Sequence, residues 1–252
     1  AGPGFINFYL NAAANNAILD VARKEGMDFA KSNVGQGLKT QVEFVSANPV
    51  GPMHVGHGRW AALGDSLCRV MSHAGYDIQR EFYINDHGSQ MDVFGNSISY
   101  RYMQLIEIME KEGLDIDGAR DFLAQDRDNF VQDEADEHLD SHPYMDAFTE
   151  GLGGNAYGGT YIIDEAAAFY KKDGDKWAHV TDEERMLYFR EEGYAKMVEN
   201  MRQLCHDVRC DFDKWFSERT VYIKDTEGPN AGTSAVDRAF AKLDEMGYLC
   251  LL

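Results

Sequence analysis

Two histidines, His54 and His57, lie where the phosphates of a nucleotide could bind. They are three residues apart in the stretch HVGHGR, so both imidazoles share one face if a helix begins there. The first turn of a helix offers free N–H groups and a partial positive charge, which attract phosphate. Imidazoles at that position can donate hydrogen bonds to phosphate oxygens and stabilise charge that develops on them. The pattern therefore suits displacement at the phosphorus of a nucleoside triphosphate, where catalysis is mainly positioning and electrostatics.

The residues around the histidines predict a strand, a loop and a helix. Residues 41–46 alternate and are rich in β-forming residues, whereas two prolines and a glycine interrupt residues 47–52. From His54 onward the apolar residues follow helical spacing, namely Leu63, Leu67, Val70, Met71 and Ala74. A second strand at 80–85 completes a βαβ unit with parallel strands and a right-handed crossover. Ligands of such sheets bind beyond the carboxyl ends of the strands, which is where the histidine pair falls.

The remaining sequence predicts an α/β protein that is interrupted by an insertion. Its length of 252 residues fits one large domain or two small ones, at roughly 100–200 residues per domain. Apolar periodicity predicts helices at 5–31, 91–113, 182–208 and 233–246, and a strand with its flanks at 212–222. We expect residues 115 to about 180 to be an insertion rather than part of the sheet.

Charge and cysteine usage narrow the class of protein. The net charge of −19 argues against a surface that coats nucleic acid. Residues 115–150 contain twelve acidic residues and two arginines, and their spacing matches no EF-hand loop, so a solvated acidic insertion is the favoured interpretation. The four cysteines form no C-x-x-C pair, and no apolar run approaches the roughly 18 residues of a membrane span. We expect reduced thiols, a cytoplasmic protein and no membrane contact.

Taken alone, the H-x-G-H pattern is a weak signal, since two surface histidines are its commoner origin. A zinc site would need a third ligand, and neither an H-E-x-x-H sequence nor clustered cysteines supply one. His87 is the nearest further candidate, and we expect no metal site. The preceding strand and N-P-x-G-P loop are what favour a nucleotide site over surface histidines.

Residues 42–59, VEFVSANPVGPMHVGHGR, resemble the signature of class I aminoacyl-tRNA synthetases, and among these the arginyl-tRNA synthetase family. Further resemblances occur in the family's order, namely AGPGF at 1–5, REFYINDHG at 80–88, YGGTYI at 157–162 and FDKWFSERTVY at 212–222. They cover most of the chain outside the acidic stretch. The resemblance implies a Rossmann-like, parallel-sheet α/β nucleotide-binding fold of the HIGH type. The fold would be incomplete here, with a mostly helical acidic segment inserted at about 115–180.

The resemblance also implies a reaction in two steps. Arginine would attack the α-phosphate of ATP, supplied with Mg²⁺, to give arginyl-adenylate, and the arginyl group would then move to tRNA(Arg). In this family the first step generally requires bound tRNA. His54 and His57 match the family's catalytic, ATP-binding histidines, while Gly56 and Gly58 match its backbone platform under the adenosine.

Three residues match positions that bind arginine in the family: Glu43, Asn48 and Glu218. The chemistry of the carboxylates agrees, because a guanidinium is a planar fork of donors that carboxylates accept in pairs. Each residue also has another interpretation. Glu43 could face solvent, Asn48 could be a turn residue before proline, and Glu218 could pair with Arg219 at the surface. Residues 85–88 could equally cap the next helix or contact the ligand.

Part of the family's pattern is missing, because no KMSKS-like loop exists in the sequence. The chain opens without methionine and stops in an apolar run, so we expect a piece of a longer, monomeric parent. Residues 1–38 would then be the end of an N-terminal tRNA-contacting domain with its linker, and 39–252 the first part of the catalytic domain. Most tRNA contacts would lie outside this piece. The isolated piece should show no measurable arginylation.

Two other functions remain open at this point. One is another adenylate-forming or nucleotidyl-transferring enzyme with an H-x-G-H loop, such as a synthetase for a different amino acid. The other is a non-catalytic, synthetase-like binding module. Exchange of pyrophosphate into ATP by the parent protein, tested with and without tRNA, separates the three.

Overall fold

The computed structural model describes Gly4 and residues 6–9, 11–135 and 140–249. The motif at 1–5, apart from Gly4, and the cysteine at 250 therefore lie outside the described residues. Eight helices and three strands are present in the described part of the chain. No helix there is long and apolar enough to cross a membrane.

Three parallel strands form the sheet that carries the histidine loop. They are β1 (Lys39–Glu43), β2 (Asp77–Ile84) and β3 (Lys214–Ser217), in the spatial order β1-β2-β3. Glu43 pairs with Glu81, and Glu81 pairs in turn with Lys214. Because the strands are parallel, their carboxyl ends lie at one edge of the sheet, as the sequence predicted. Within residues 11–135 and 140–249, β1 has a strand on one side only.

Helix α2 (Val55–His73) packs small residues, not its apolar stripe, against the sheet. Its buried residues are Ala61, Gly64 and Cys68. A Cβ on Gly64 would lie 2.2 Å from the ring of Phe44, so only glycine allows this approach. The larger apolar side chains point outward, with relative exposures of 68% for Leu63, 47% for Leu67 and 66% for Val70. An apolar stripe of this size normally has a partner, and none covers it among the described residues.

Five helices build a second layer beside the sheet. They are α3 (Ser89–Glu112), α4 (Ile116–Ala135), α5 (Pro143–Gly151), α6 (Thr160–Asp173) and α7 (Asp182–Asp207). Their shared core contains fully buried side chains from four of them, including Phe94, Leu123, Ile162 and Phe189. The expectation of a mostly helical insertion is confirmed. The acidic segment is amphipathic and folded, because its helices bury an apolar face and place most of their carboxylates in water.

Several predicted boundaries were wrong. The first helix, α1 (Ala12–Glu25), does not extend back to residue 5. Ile6, Phe8 and Tyr9 are 80%, 83% and 96% exposed, and an unpacked segment gains too little to remain helical. The first strand stops at Glu43, three residues earlier than predicted, because the chain then turns into a left-handed conformation.

The predicted strand at 212–222 is also shorter than expected. After β3, residues Glu218–Tyr222 form a 3₁₀ turn in which the Thr220 hydroxyl donates to the Ser217 carbonyl at 2.6 Å. Such local side-chain bonds compete with strand pairing. The last helix, α8 (Ala235–Glu245), begins at a Ser234–Asp237 capping box, close to the predicted position.

Replacing Leu123 by alanine tests the packing of the acidic segment. Leu123 is fully buried in the shared helical core, so Leu123→Ala should lower the free energy of unfolding by about 2–5 kcal/mol. Its neighbour Phe122 is 40% exposed, and Phe122→Ala should cost less than about 1.5 kcal/mol. Urea denaturation measures both. Equal, small losses would mean that α4 does not pack as described.

Candidate functional site

A strained turn carries the chain from β1 to the histidine loop. Val45 and Ser46 have φ angles of 67° and 43°, a region that β-branched and bulky residues rarely enter. Burial of Val45 and two hydrogen bonds hold the turn. The Ser46 hydroxyl donates to a Glu43 carboxylate oxygen at 2.7 Å and accepts the backbone N–H of Tyr83 at 3.1 Å. Strain that is held in this way marks candidate functional sites, and here it aims the following loop.

The two histidines form the N-terminal cap of α2. His54 is the cap residue, and its Nδ1 accepts the backbone N–H of Gly56 at 3.1 Å. The Nδ1 of His57 accepts the backbone N–H of His54 at 3.1 Å, and the ring centroids are 3.9 Å apart. Since each Nδ1 is an acceptor, each neutral ring carries its proton on Nε2. Over the part of the chain that the structure describes, neither Nε2 has a hydrogen-bond partner, so both can donate to a ligand.

The environment lowers the pKa of His57. Burial of the half-buried ring is the larger cause, and the charge of His54 adds to it. A lowered pKa favours the neutral form of His57, and the capping bond requires that form because Nδ1 must accept a hydrogen bond. The opposite case exists elsewhere in the chain, where a hydrogen bond from the His206 ring to the Asp211 carboxylate raises the pKa of His206.

The loop between the turn and the helix is anchored on the inserted helices. Val50 is part of their hydrophobic core, and the Tyr161 hydroxyl donates to the Val50 carbonyl at 2.7 Å. Asn48 is fixed from another direction, because its Nδ2 donates to Gln90 Oε1 at 2.9 Å. A Cβ on Gly51 would lie 3.0 Å from the Tyr161 hydroxyl, so glycine permits this close contact. Tyr161 lies in the YGGTYI stretch, but nothing in that stretch indicates its role.

Glu43 and Glu218 lie on either side of the end of β2. A Glu43 carboxylate oxygen accepts the Ser46 hydroxyl, Ser46 in turn accepts the backbone N–H of Tyr83, and Glu218 lies near the phenol of the same tyrosine. Burial is the largest cause that raises the pKa of Tyr83, followed by the charges of Glu218 and Tyr222. Within the described residues neither glutamate forms an ion pair, and Arg219 pairs with Glu191 instead of Glu218. Two carboxylates without a cation therefore face the same edge of the sheet.

The structure brings only some of the predicted site residues into contact with one another. Hydrogen bonds connect Glu43 through Ser46 to Tyr83, which has Glu218 near its phenol, and the rings of His54 and His57 are in contact. No direct contact connects the two histidines to the two glutamates. Residues 85–88 do not cap the next helix through a side chain, because the N-cap of α3 is Gly88 and has no side-chain bond. Instead, the ring of His87 stacks on Tyr222 with centroids 3.7 Å apart. Asp86 is buried and multiply bonded, a role that its position in the motif alone could not reveal.

Comparison with known proteins agrees with this geometry. Residues 22–144 match the family described as tRNA synthetases class I (R), catalytic domain. An arginine–tRNA ligase from Oceanobacillus iheyensis is 37% identical over 98% of this chain and 36% of its own length. One from Caldanaerobacter subterraneus is 36% identical over 98% of this chain and 35% of its own length. This chain therefore spans about a third of the length of these relatives.

A solved structure from Campylobacter jejuni, described as an arginyl-tRNA synthetase, superimposes with a TM-score of 0.57 at 26% identity. The match covers 84% of this chain and 38% of the other. These matches assign the parallel sheet and its histidine-capped crossover helix to the catalytic-domain fold of the class I tRNA synthetases. Within that class, the chain belongs to the arginyl-tRNA synthetase family.

Proton NMR titration of the imidazoles tests the environment of the histidine pair. His57 should titrate below its ordinary value of 6.5, because burial and His54 disfavour its charged form, and His206 should titrate above it. For His57 the unfolded chain binds more protons than the folded chain between the two pKa values. Its contribution to stability is therefore present above pH 6.5 and is lost as the pH falls below that value. A midpoint for His57 at or above that of His206 would contradict the arrangement.

Proposed function

We propose that the protein containing this chain is an arginine–tRNA ligase, and that this chain supplies part of its binding site for ATP and arginine. The arginine carboxylate attacks the α-phosphate of ATP and releases pyrophosphate. The arginyl group of the adenylate then passes to the terminal ribose of tRNA(Arg). The observation that carries this proposal is the pair of unpartnered imidazole Nε2 donors at a helix N-terminus, on the edge of the sheet where two unpaired carboxylates lie.

In this proposal the histidine cap binds the triphosphate. The Nε2 atoms of His54 and His57 donate to phosphate oxygens and stabilise the charge that builds up as pyrophosphate leaves. Gly56 is needed for the cap itself, because a Cβ there would lie 2.8 Å from the His54 ring. A Cβ on Gly58 would face open space, where we place the adenosine. Magnesium arrives with ATP, and we propose no structural metal; the described residues contain no cluster of three or more metal-ligating side chains.

The arginine side chain lies between the carboxylates of Glu43 and Glu218 in this proposal. A guanidinium presents paired N–H donors that match carboxylate oxygens, and both glutamates are free of other cations among the described residues. Asn48 donates through its Nδ2 to Gln90, so its Oδ1 can accept a hydrogen bond from the α-amino group of arginine.

We further propose that the chain divides into two parts. Residues 1–38 form the end of a tRNA-contacting domain with its linker, and residues 39–252 form the first part of the catalytic domain. The rest of the nucleotide fold would cover the outward stripe of Leu63, Leu67 and Val70 and pair with the open side of β1. The relatives are about three times as long as this chain, which supports such a second part.

The remaining partners follow from the same proposal. Most contacts with tRNA(Arg) lie in other parts of the parent protein, which agrees with the net charge of −19 here. Cys68, Cys205 and Cys210 are free thiols and buried, as expected for a protein of the cytoplasm. We propose that the parent acts there as a monomer.

Pyrophosphate exchange into ATP tests the proposed activity directly. The full-length parent should incorporate labelled pyrophosphate with arginine and only when tRNA(Arg) is present, because arginine activation in this family generally needs bound tRNA. The assay should be run with each of the twenty amino acids, with and without tRNA. Exchange with another amino acid would favour a different synthetase, and no exchange under any condition would favour a binding module.

A further inference from the structure

Asp86 is a buried carboxylate that the roles proposed so far do not use. It lies two residues beyond the end of β2, and only 1% of its surface is exposed. One oxygen accepts the Tyr194 hydroxyl at 2.7 Å and the Ser217 hydroxyl at 2.6 Å. The other accepts the backbone N–H of Arg219 at 3.1 Å. The carboxylate thus joins the ends of β2 and β3 to helix α7.

Arg219 also contacts Asp86 and its neighbours through its side chain. Arg219 Nε donates to the backbone carbonyl of Asp86 at 2.7 Å, and its guanidinium lies 4.6 Å from the centroid of the Tyr194 ring. A terminal nitrogen of Arg219 also pairs with Glu191 at 2.6 Å. Consequently both neighbours of Glu218, which are Ser217 and Arg219, are bonded to Asp86.

Burying a carboxylate is costly unless donors and a cation offset the loss of water. Asp86 meets that condition with three donors and a nearby guanidinium, so moving the chain at 217–219 would break several charge-assisted bonds together. The segment between Ser217 and Arg219 is therefore rigid. The backbone position of Glu218, the one residue between them, is therefore fixed from both sides.

We propose that Asp86 is a positioning residue for arginine recognition, which fixes Glu218 at the distance and angle that a guanidinium requires. This inference rests on the proposed function, because it assumes that Glu218 binds arginine. Asp86 itself touches no substrate. Substituting Asp86 should therefore weaken the selection of arginine over neutral analogues. The same substitution should have no such effect in a protein whose Glu218 has already been replaced.

The test uses the full-length parent and the exchange assay with tRNA(Arg) present. Asp86→Asn keeps the shape but turns an NH₂ group toward the donors, so the 217–219 segment loses at least one bond. The KM for arginine should rise on the order of 10- to 100-fold, as for a misplaced binding group, with a much smaller change in the KM for ATP. Discrimination between arginine and citrulline, its uncharged analogue, should narrow to a similar degree.

A double-mutant cycle separates positioning from a general loss of structure. Once Glu218→Gln is present, adding Asp86→Asn should change the arginine KM and the citrulline discrimination little further. Ser217→Ala removes a single donor to Asp86, so it should raise the arginine KM and narrow the citrulline discrimination by a smaller factor. This variant keeps the test decisive if Asp86→Asn fails to fold. Asp126→Asn is the matched control, because Asp126 accepts one backbone N–H in the helical insertion, away from this segment.

The outcomes are distinguishable from failure of the proposed function. If the unmodified parent does not activate arginine, the proposed function itself is wrong, and the variants are not needed to show it. If the parent activates arginine, an unchanged arginine KM in both Asp86→Asn and Ser217→Ala overturns the inference. Fully additive effects of Asp86→Asn and Glu218→Gln would do the same.

Discussion

The histidine site depends on how one loop leaves the sheet. Between β1 and α2 the chain passes through two left-handed residues, Val45 and Ser46, whose strain needs support from their surroundings. Ser46 is bonded to Glu43 and to β2, while Val50 is buried among the inserted helices and held by Tyr161. Because both halves of the loop are fixed, the start of α2 and its two capping imidazoles are held at the carboxyl edge of the sheet. The inserted helices thus support the site as well as forming a second core.

Much of this arrangement could be predicted because it depends on local chemistry. Two prolines and a glycine after a β-forming run can only be a loop, and the histidines after it coincide with the start of apolar helical spacing. Those signals placed α2, β2 and the parallel βαβ unit correctly. The two glutamates were selected because they match arginine-binding positions of the family that the sequence resembles, and the structure leaves both without a cation among the described residues.

The features that could not be predicted from the sequence depend on contacts between residues far apart in the chain. Nothing near Val45 shows that tertiary contacts hold it in a left-handed conformation, so the strand was extended too far. Tyr161 reaches the loop from 111 residues away, and the donors that surround Asp86 come from two distant elements. The apolar spacing of α2 identified a helix but not the direction it faces, since the sheet packs against its smallest residues.

The central claim is that a nucleotide's phosphates bind to the imidazoles that cap α2. A crystal structure of the full-length parent with a non-hydrolysable ATP analogue and arginine measures this directly. We expect the Nε2 atoms of His54 and His57 to lie about 2.7–3.2 Å from phosphate oxygens, with the guanidinium between Glu43 and Glu218. A triphosphate bound elsewhere, or imidazoles turned away from it, would contradict the account.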